Sequence, residues 1–137
     1  MMQVLMDSGP LVAYELREDK HHVWSREHLS SVSAPFLTCE AVLTETSHLL
    51  RERGARIDFL WALLRRGVMR IAFNLETEFE SVAVLMRRYA AAPMDLADAC
   101  LVRMSELNCE CRIMTLDGDF KLYRRFGRQM IPLICPV

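Results

Sequence analysis

Short apolar runs in this 137-residue chain end repeatedly in acidic residues. They are Val4-Leu5-Met6-Asp7, Ala41-Val42-Leu43-Thr44-Glu45, Pro93-Met94-Asp95-Leu96-Ala97-Asp98, and Arg112-Ile113-Met114-Thr115-Leu116-Asp117-Gly118-Asp119 with its doubled ending. Carboxylates held at the ends of buried elements repel one another and lose hydration. Several of them meeting in one place need a divalent cation to neutralise them. Such a cluster reads as a Mg²⁺ or Mn²⁺ site for hydrolysis of phosphodiester bonds, with the ion activating a water and polarising the phosphoryl group.

Each acid also has a plainer role open to it. Asp7 and Asp95 stand where a helix cap belongs, and Asp117-Gly118-Asp119 has the composition of a turn. Glu45 and Asp98 are harder to place that way. Glu45 lies between Leu43 and Leu49 on the apolar side of a helix, and Asp98 lies among Leu96, Ala97, Ala99, Cys100 and Leu101. A carboxylate amid such neighbours is normally paired or liganded.

The elements that must position these residues follow from periodicity and punctuation. Residues 3–6 read as a buried strand, and Ser8-Gly9-Pro10 opens a helix that runs through 11–17. Helices are expected at 21–31, 42–50, 57–64 (ended by Gly67), 75–91 (stopped at Pro93) and 94–106. Strands are expected at 34–38, from Ala34, and at 68–73, 112–116 and 130–134. Strands alternating with helices over a single unit, 1–137, indicate an α/β fold with a mainly parallel sheet covered on both faces. Ligands of such sheets gather beyond the carboxyl ends of the strands, where strand order reverses. That rule turns acids scattered along the chain into one site, and the three-residue spacing puts Asp95 and Asp98 on a shared helix face.

Composition narrows the classes further. An apolar content of 52% is enough for a core, and no apolar stretch approaches the roughly 20 residues of a spanning helix, so a soluble protein is expected. Five cysteines, an odd number, with no leader-like segment fit reduced thiols and a cytoplasmic setting. Cys109 and Cys111 have no second pair or nearby histidine, which argues against zinc. Net charge is −1, yet only Lys20 and Lys121 break an otherwise all-Arg set of 17 cations. Guanidinium groups suit bidentate phosphate contacts, but only a patch bordering the acids would carry function. His48, Trp24, Trp61 and the nine Met are expected mainly to pack in the core.

Along essentially its whole length the chain resembles the PIN-domain ribonucleases of the VapC toxin type. The segment Val4 to Leu11 resembles that family's first strand, Asp and small hydroxyl residue. Residues 37–45 resemble its second motif, Asp95-Leu96-Ala97-Asp98-Ala99 its third, and Thr115 to Phe120 its fourth. The resemblance implies an α/β/α sandwich with a short, mainly parallel central sheet and a Mg²⁺- or Mn²⁺-dependent endoribonuclease site. Asp7, Asp98 and Asp117 are expected to bind the metal directly or through water. Glu45, with Asp95, would hold metal-bound waters or a second ion. Ser8 and Thr115 would hydrogen-bond behind the ligands or touch the scissile phosphate. Glu40 stands as a rival to Glu45, and Asp119 as a rival or partner to Asp117. Implied partners are an RNA substrate, an antitoxin protein seated in a groove of the apolar N-terminal helical half, and a second copy in a homodimer; no membrane is implied. The alternative is a catalytically silent PIN module that binds RNA or protein.

Overall fold

The computed structural model describes residues 2–33 and 35–136. Its centre is strand β1 (Gln3–Met6), whose last three residues are buried. A strand shielded on both faces must be apolar at consecutive positions, which is why Val4-Leu5-Met6 does not alternate. Strand β2 (Phe36–Thr38) pairs with β1 in parallel, and β3 (Met69–Ile71) pairs with β2 at the sheet edge. On the other side of β1 lies β4 (Cys111–Met114), in register with Met6 opposite Met114, and then β7 (Leu133–Ile134). The order β3-β2-β1-β4-β7 is parallel throughout.

Six helices connect these strands: α1 (Ser8–Glu15), α2 (His22–Ser31), α3 (Glu40–Glu52), α4 (Asp58–Arg65), α5 (Leu75–Arg88) and α6 (Leu96–Leu107). The first two crossovers step outward from β1 to β3, and the third returns past both to β4. Right-handed crossovers therefore place the helices of the third on the opposite face, giving an α/β/α sandwich. Helix α1 packs on α2 and α3, α5 packs on α6, and α3 also meets α6. Leu5, Leu11, Leu101 and Ile113 are wholly buried between the layers, as are Phe120 and Tyr123 from the C-terminal segment.

The helix ends follow local chemistry. Asp7 and Asp95 cap α1 and α6, and Asn74 caps α5 by accepting from the Thr77 amide at 3.2 Å. Helix α5 stops at Arg88, three residues short of the expected end, and α6 begins at Leu96 because Asp95 serves as its cap. The expected strands at 68–73 and 112–116 contract to β3 and β4. The strand expected from Ala34 occupies Phe36–Thr38, and Ala34 itself lies outside the described residues.

Three expectations need correction. The strand at 130–134 is two elements: Gln129–Met130 (β6) pairs antiparallel with Arg124–Arg125 (β5), and Pro132 separates it from β7. Proline donates nothing to a ladder, and here its carbonyl accepts from Ile113 at 2.9 Å. His48 is exposed beside Glu52 (3.4 Å) rather than packed, because it falls on the outer face of α3. Trp61 is 45% exposed, since α4 turns Leu60 and Leu63 inward instead. Among the arginines, Arg125 is buried. Its Nη1 donates to the carbonyls of Ser105 and Cys109 at the end of α6, at 3.0 and 3.2 Å. Among the described residues no helix is long and apolar enough to cross a membrane.

Candidate active site

Strand order reverses between β1 and β4, and the acids meet beyond the carboxyl ends of these two strands. Asp7 leaves β1 as the cap of α1, 4% exposed. Its Oδ1 accepts from the Ser8 amide at 2.8 Å and its Oδ2 from the Thr115 hydroxyl at 2.7 Å. Thr115 follows β4 and is fully buried, and its Oγ1 also accepts from the Asp117 amide at 2.9 Å. One hydroxyl thus ties the loop after β4 to the acid after β1. Asp117 in turn caps the 3₁₀ turn Gly118–Lys121 by accepting from the Asp119 amide at 2.9 Å.

The other two acids arrive on helices. Glu45, half-buried on α3, accepts a hydrogen bond from the Ser8 hydroxyl. Asp98 occupies the third position of α6, 6% exposed, in a reciprocal capping box with Asp95. The Asp98 amide donates to Asp95 Oδ1 at 2.8 Å, and Asp98 Oδ2 accepts from the Asp95 amide at 3.4 Å and from the Tyr123 hydroxyl at 3.3 Å. Gly9 lets α1 approach this end of the sheet: a Cβ there would lie 3.2 Å from Leu116.

Electrostatics show the cost of the arrangement. Burial pushes the Asp7 carboxyl up to about 6; its hydrogen bonds from Thr115 and Ser8 oppose that, while Glu45 and Asp117 add to it. Burial, then the charges of Asp95 and Asp7, push Asp98 up to about 7. Glu45 is raised by burial, with Asp95 and Asp117 adding to it against the Ser8 bond. Asp119 is raised by partial desolvation and by Asp117. Burial and then Asp98 drive the Tyr123 phenol well above its ordinary range, so it stays a hydrogen-bond donor.

The cleft, about 450 Å³, is bordered by Asp7, Ser8, Glu45, Asp95, Asp98, Asp117 and Asp119, and among the described residues no lysine or arginine lines it. Asp7, Glu45, Asp95, Asp98, Asp117 and Asp119 therefore reach one place, and Glu40 does not. Thr115 lies behind Asp7 rather than on the surface. Glu40, exposed in the first turn of α3, opens into a different hollow with Ile71 and Leu75, so Glu45 is the α3 acid of the cleft. Asp117 and Asp119 both line it. Among the described residues no three histidine, cysteine or acidic side chains are close enough together to form a ready-made metal chelate. Tyr123 is the contributor that sequence reasoning missed. Its only sequence signal is the spacing of three from Phe120, and its place is fixed by edge contacts with Tyr89 and Phe120 at 5.2 and 5.3 Å.

A five-stranded parallel sheet of this order between helical layers, with acids at its switch point, defines the PIN-like α/β/α class. The crystal structure of the Mycobacterium tuberculosis toxin VapC20, described as cleaving the sarcin-ricin loop, has this fold. It superposes with a TM-score of 0.78 over 93% of this chain and 99% of that chain, at 19% sequence identity. At that identity the likeness speaks for the fold. No protein-family model and no curated protein sequence matches the chain.

Proposed function

We propose that residues 1–137 act as a single PIN-like nuclease domain, a Mg²⁺- or Mn²⁺-dependent endoribonuclease that serves as the toxin of a type II toxin–antitoxin pair. The observation that carries this reading is the convergence of Asp7, Glu45, Asp98 and Asp117, from four separate elements, at the switch point of a sheet shared with a toxin ribonuclease. A cytoplasmic location, restraint by an antitoxin and a homodimeric state belong to the same reading.

The donor set fits such an ion. It consists wholly of hard oxygen ligands, and among the described residues no lysine or arginine lines the cleft; burial first, then the neighbouring carboxylates, raise the proton affinities of Asp7 and Asp98, a cost that a bound cation would relieve. Mg²⁺ takes only one or two carboxylates directly and keeps several waters, so a cleft without a ready-made chelate is compatible with a hydrated ion. Asp7, Asp98 and Asp117 would hold it, with Glu45, Asp95 and Asp119 receiving hydrogen bonds from its waters. When bound, the ion supplies charge neutralisation, polarisation of the phosphoryl group and a more acidic water. The protein's own groups do the rest. Thr115 and the Ser8 amide fix the Asp7 carboxylate by two bonds, Ser8 orients Glu45, and Tyr123 and the Asp95 amide fix Asp98. An ordered set of acceptors loses little freedom when a substrate arrives.

The test is cleavage of structured and single-stranded RNA by the purified protein with Mg²⁺, with Mn²⁺ or with EDTA. The neighbour's described target makes an RNA stem-loop the first structured substrate to try. Cleavage should require the metal, fall at least 100-fold in Asp98→Asn, and survive in Glu40→Gln. Cleavage that is indifferent to EDTA or to Asp98→Asn would refute the site. Absence of cleavage under every condition would favour the silent binding module.

A further inference from the structure

The acidic cleft shares lining residues with two neighbouring hollows, and the three together are termed the trough. On one side it shares Glu45 and Asp95 with a hollow of about 410 Å³ between α3 and the first turn of α6. The floor there is Ala41, Leu96 and Ala97, and Thr44 and His48 form its edge. On the other side it shares Gly9, Leu49 and Leu116 with a hollow of about 480 Å³ that reaches Lys20, His21 and Arg53. The shared residues make the three hollows neighbours, and each is of a size that suits a small ligand unit (about 300–1,000 Å³).

Granted the nuclease reading, on which this inference rests, a phosphodiester held at the acids must lay its two nucleosides on the surfaces to either side. Those surfaces differ in kind. Among the described residues the α3–α6 hollow has no lysine or arginine in its lining and carries the carboxyls of Glu45 and Asp95, which disfavour a phosphate, whereas Leu96 presents an apolar side chain that is 42% exposed beside two alanines. An unstacked base offers a flat apolar face and a polar edge, and single-stranded RNA is recognised through both. The other hollow carries Lys20, which is exposed, and Arg53, which Asp19 holds at 3.1 Å.

We propose that the hollow between α3 and α6 is a nucleobase subsite for the nucleotide next to the scissile phosphate, with Leu96 under the base face and Thr44 and His48 at its edge. The strand continues past Leu116 toward Lys20.

Two measurements test this. The first is binding of a labelled single-stranded hexaribonucleotide pool by anisotropy in the Asp98→Asn protein, where cleavage is suppressed, with Leu96→Asn and Lys20→Ala added singly. The second is mapping of cut positions in a randomised-loop RNA by the wild-type, Leu96→Asn and His48→Ala proteins. Leu96→Asn should weaken binding about five- to tenfold, in line with loss of a partly buried apolar contact, without changing its salt dependence. Lys20→Ala should lower the salt slope by about 0.7. His48→Ala should change base preference at one position beside the cut. If the wild type cuts RNA but Leu96→Asn and His48→Ala leave affinity, KM and preference untouched, the subsite is refuted while the nuclease stands. If RNA is neither bound nor cut, the nuclease reading fails too, and a protein partner becomes the candidate occupant of the trough.

Discussion

Replacing Asp7 by asparagine should make the metal-free protein more stable at pH 8 while destroying its site. The folded environment raises this carboxyl from 3.8 to about 6. At about 1.4 kcal/mol per pKa unit, forcing it to ionise in the folded state costs up to about 3 kcal/mol. The sign follows from proton binding. Between the two values the folded state binds more protons than the unfolded chain, so this component of stability is full below pH 3.8 and is lost as pH rises through about 6. Asparagine never ionises. Its carbonyl can still accept from the Ser8 amide, but its amide faces the Thr115 hydroxyl, which loses a charged acceptor at a cost of about 1–2 kcal/mol. The net expectation is a gain of about 1–2 kcal/mol at pH 8 that vanishes or reverses at pH 5. Urea denaturation followed by circular dichroism in EDTA reads this directly as the midpoint difference between the two proteins at each pH. Added Mg²⁺ should then raise the wild-type midpoint and leave that of Asp7→Asn almost unmoved, because a ligand stabilises only the state that binds it. A variant less stable than wild type by the same margin at pH 5 and pH 8 would refute the argument, since Asp7 would then carry no ionisation cost.

Other substitutions probe the supports of the site. Tyr123→Phe removes one bond to Asp98 without opening a cavity, so stability in denaturant melts should fall by only about 1 kcal/mol, while the metal concentration needed for half-maximal cleavage rises several-fold. An unchanged metal requirement would reduce Tyr123 to a packing residue. Thr115→Val deletes both the donor to Asp7 and the acceptor for Asp117; a loss of about 1–3 kcal/mol in chemical denaturation is expected, and a smaller loss than in Tyr123→Phe would contradict the coupling of the two loops. Gly9→Ala should keep the circular dichroism spectrum but cut RNA cleavage several-fold, because its Cβ pushes on Leu116 from 3.2 Å. Full activity in that variant would show that the loop after β4 yields freely.

Much of this site was legible because its acids also serve as helix punctuation. Asp7 before Ser8-Gly9-Pro10 and Asp95 after Pro93 announce caps, and caps fall at the ends of strands and loops where an α/β sheet gathers its ligands. The choice between Glu40 and Glu45 was not legible. The two lie five residues apart on one helix, and only the way α3 packs on α1 and α6 turns Glu45 toward Ser8. Tyr123 was invisible for a related reason: an isolated aromatic has no periodicity, and its hydroxyl finds Asp98 across 25 residues of chain. For His48 and Trp61, apolar neighbours in sequence are not neighbours in space. Each sits on the solvent side of an amphipathic helix. The β5–β6 hairpin was missed because two-residue strands carry no alternation to detect.

The bond from Thr115 to Asp7 spans 108 residues, and β1 receives its second neighbour only when β4 has been made. A growing chain that ends after α5 carries Asp7 and Glu45 but neither Asp98 nor Asp117, and its first strand still has an open edge. The acidic cleft therefore cannot be assembled on a chain that stops after α5. It comes into being with the closing of the sheet, once α6 and β4 have been added, so under the proposed function no cleavage could precede completion of the fold.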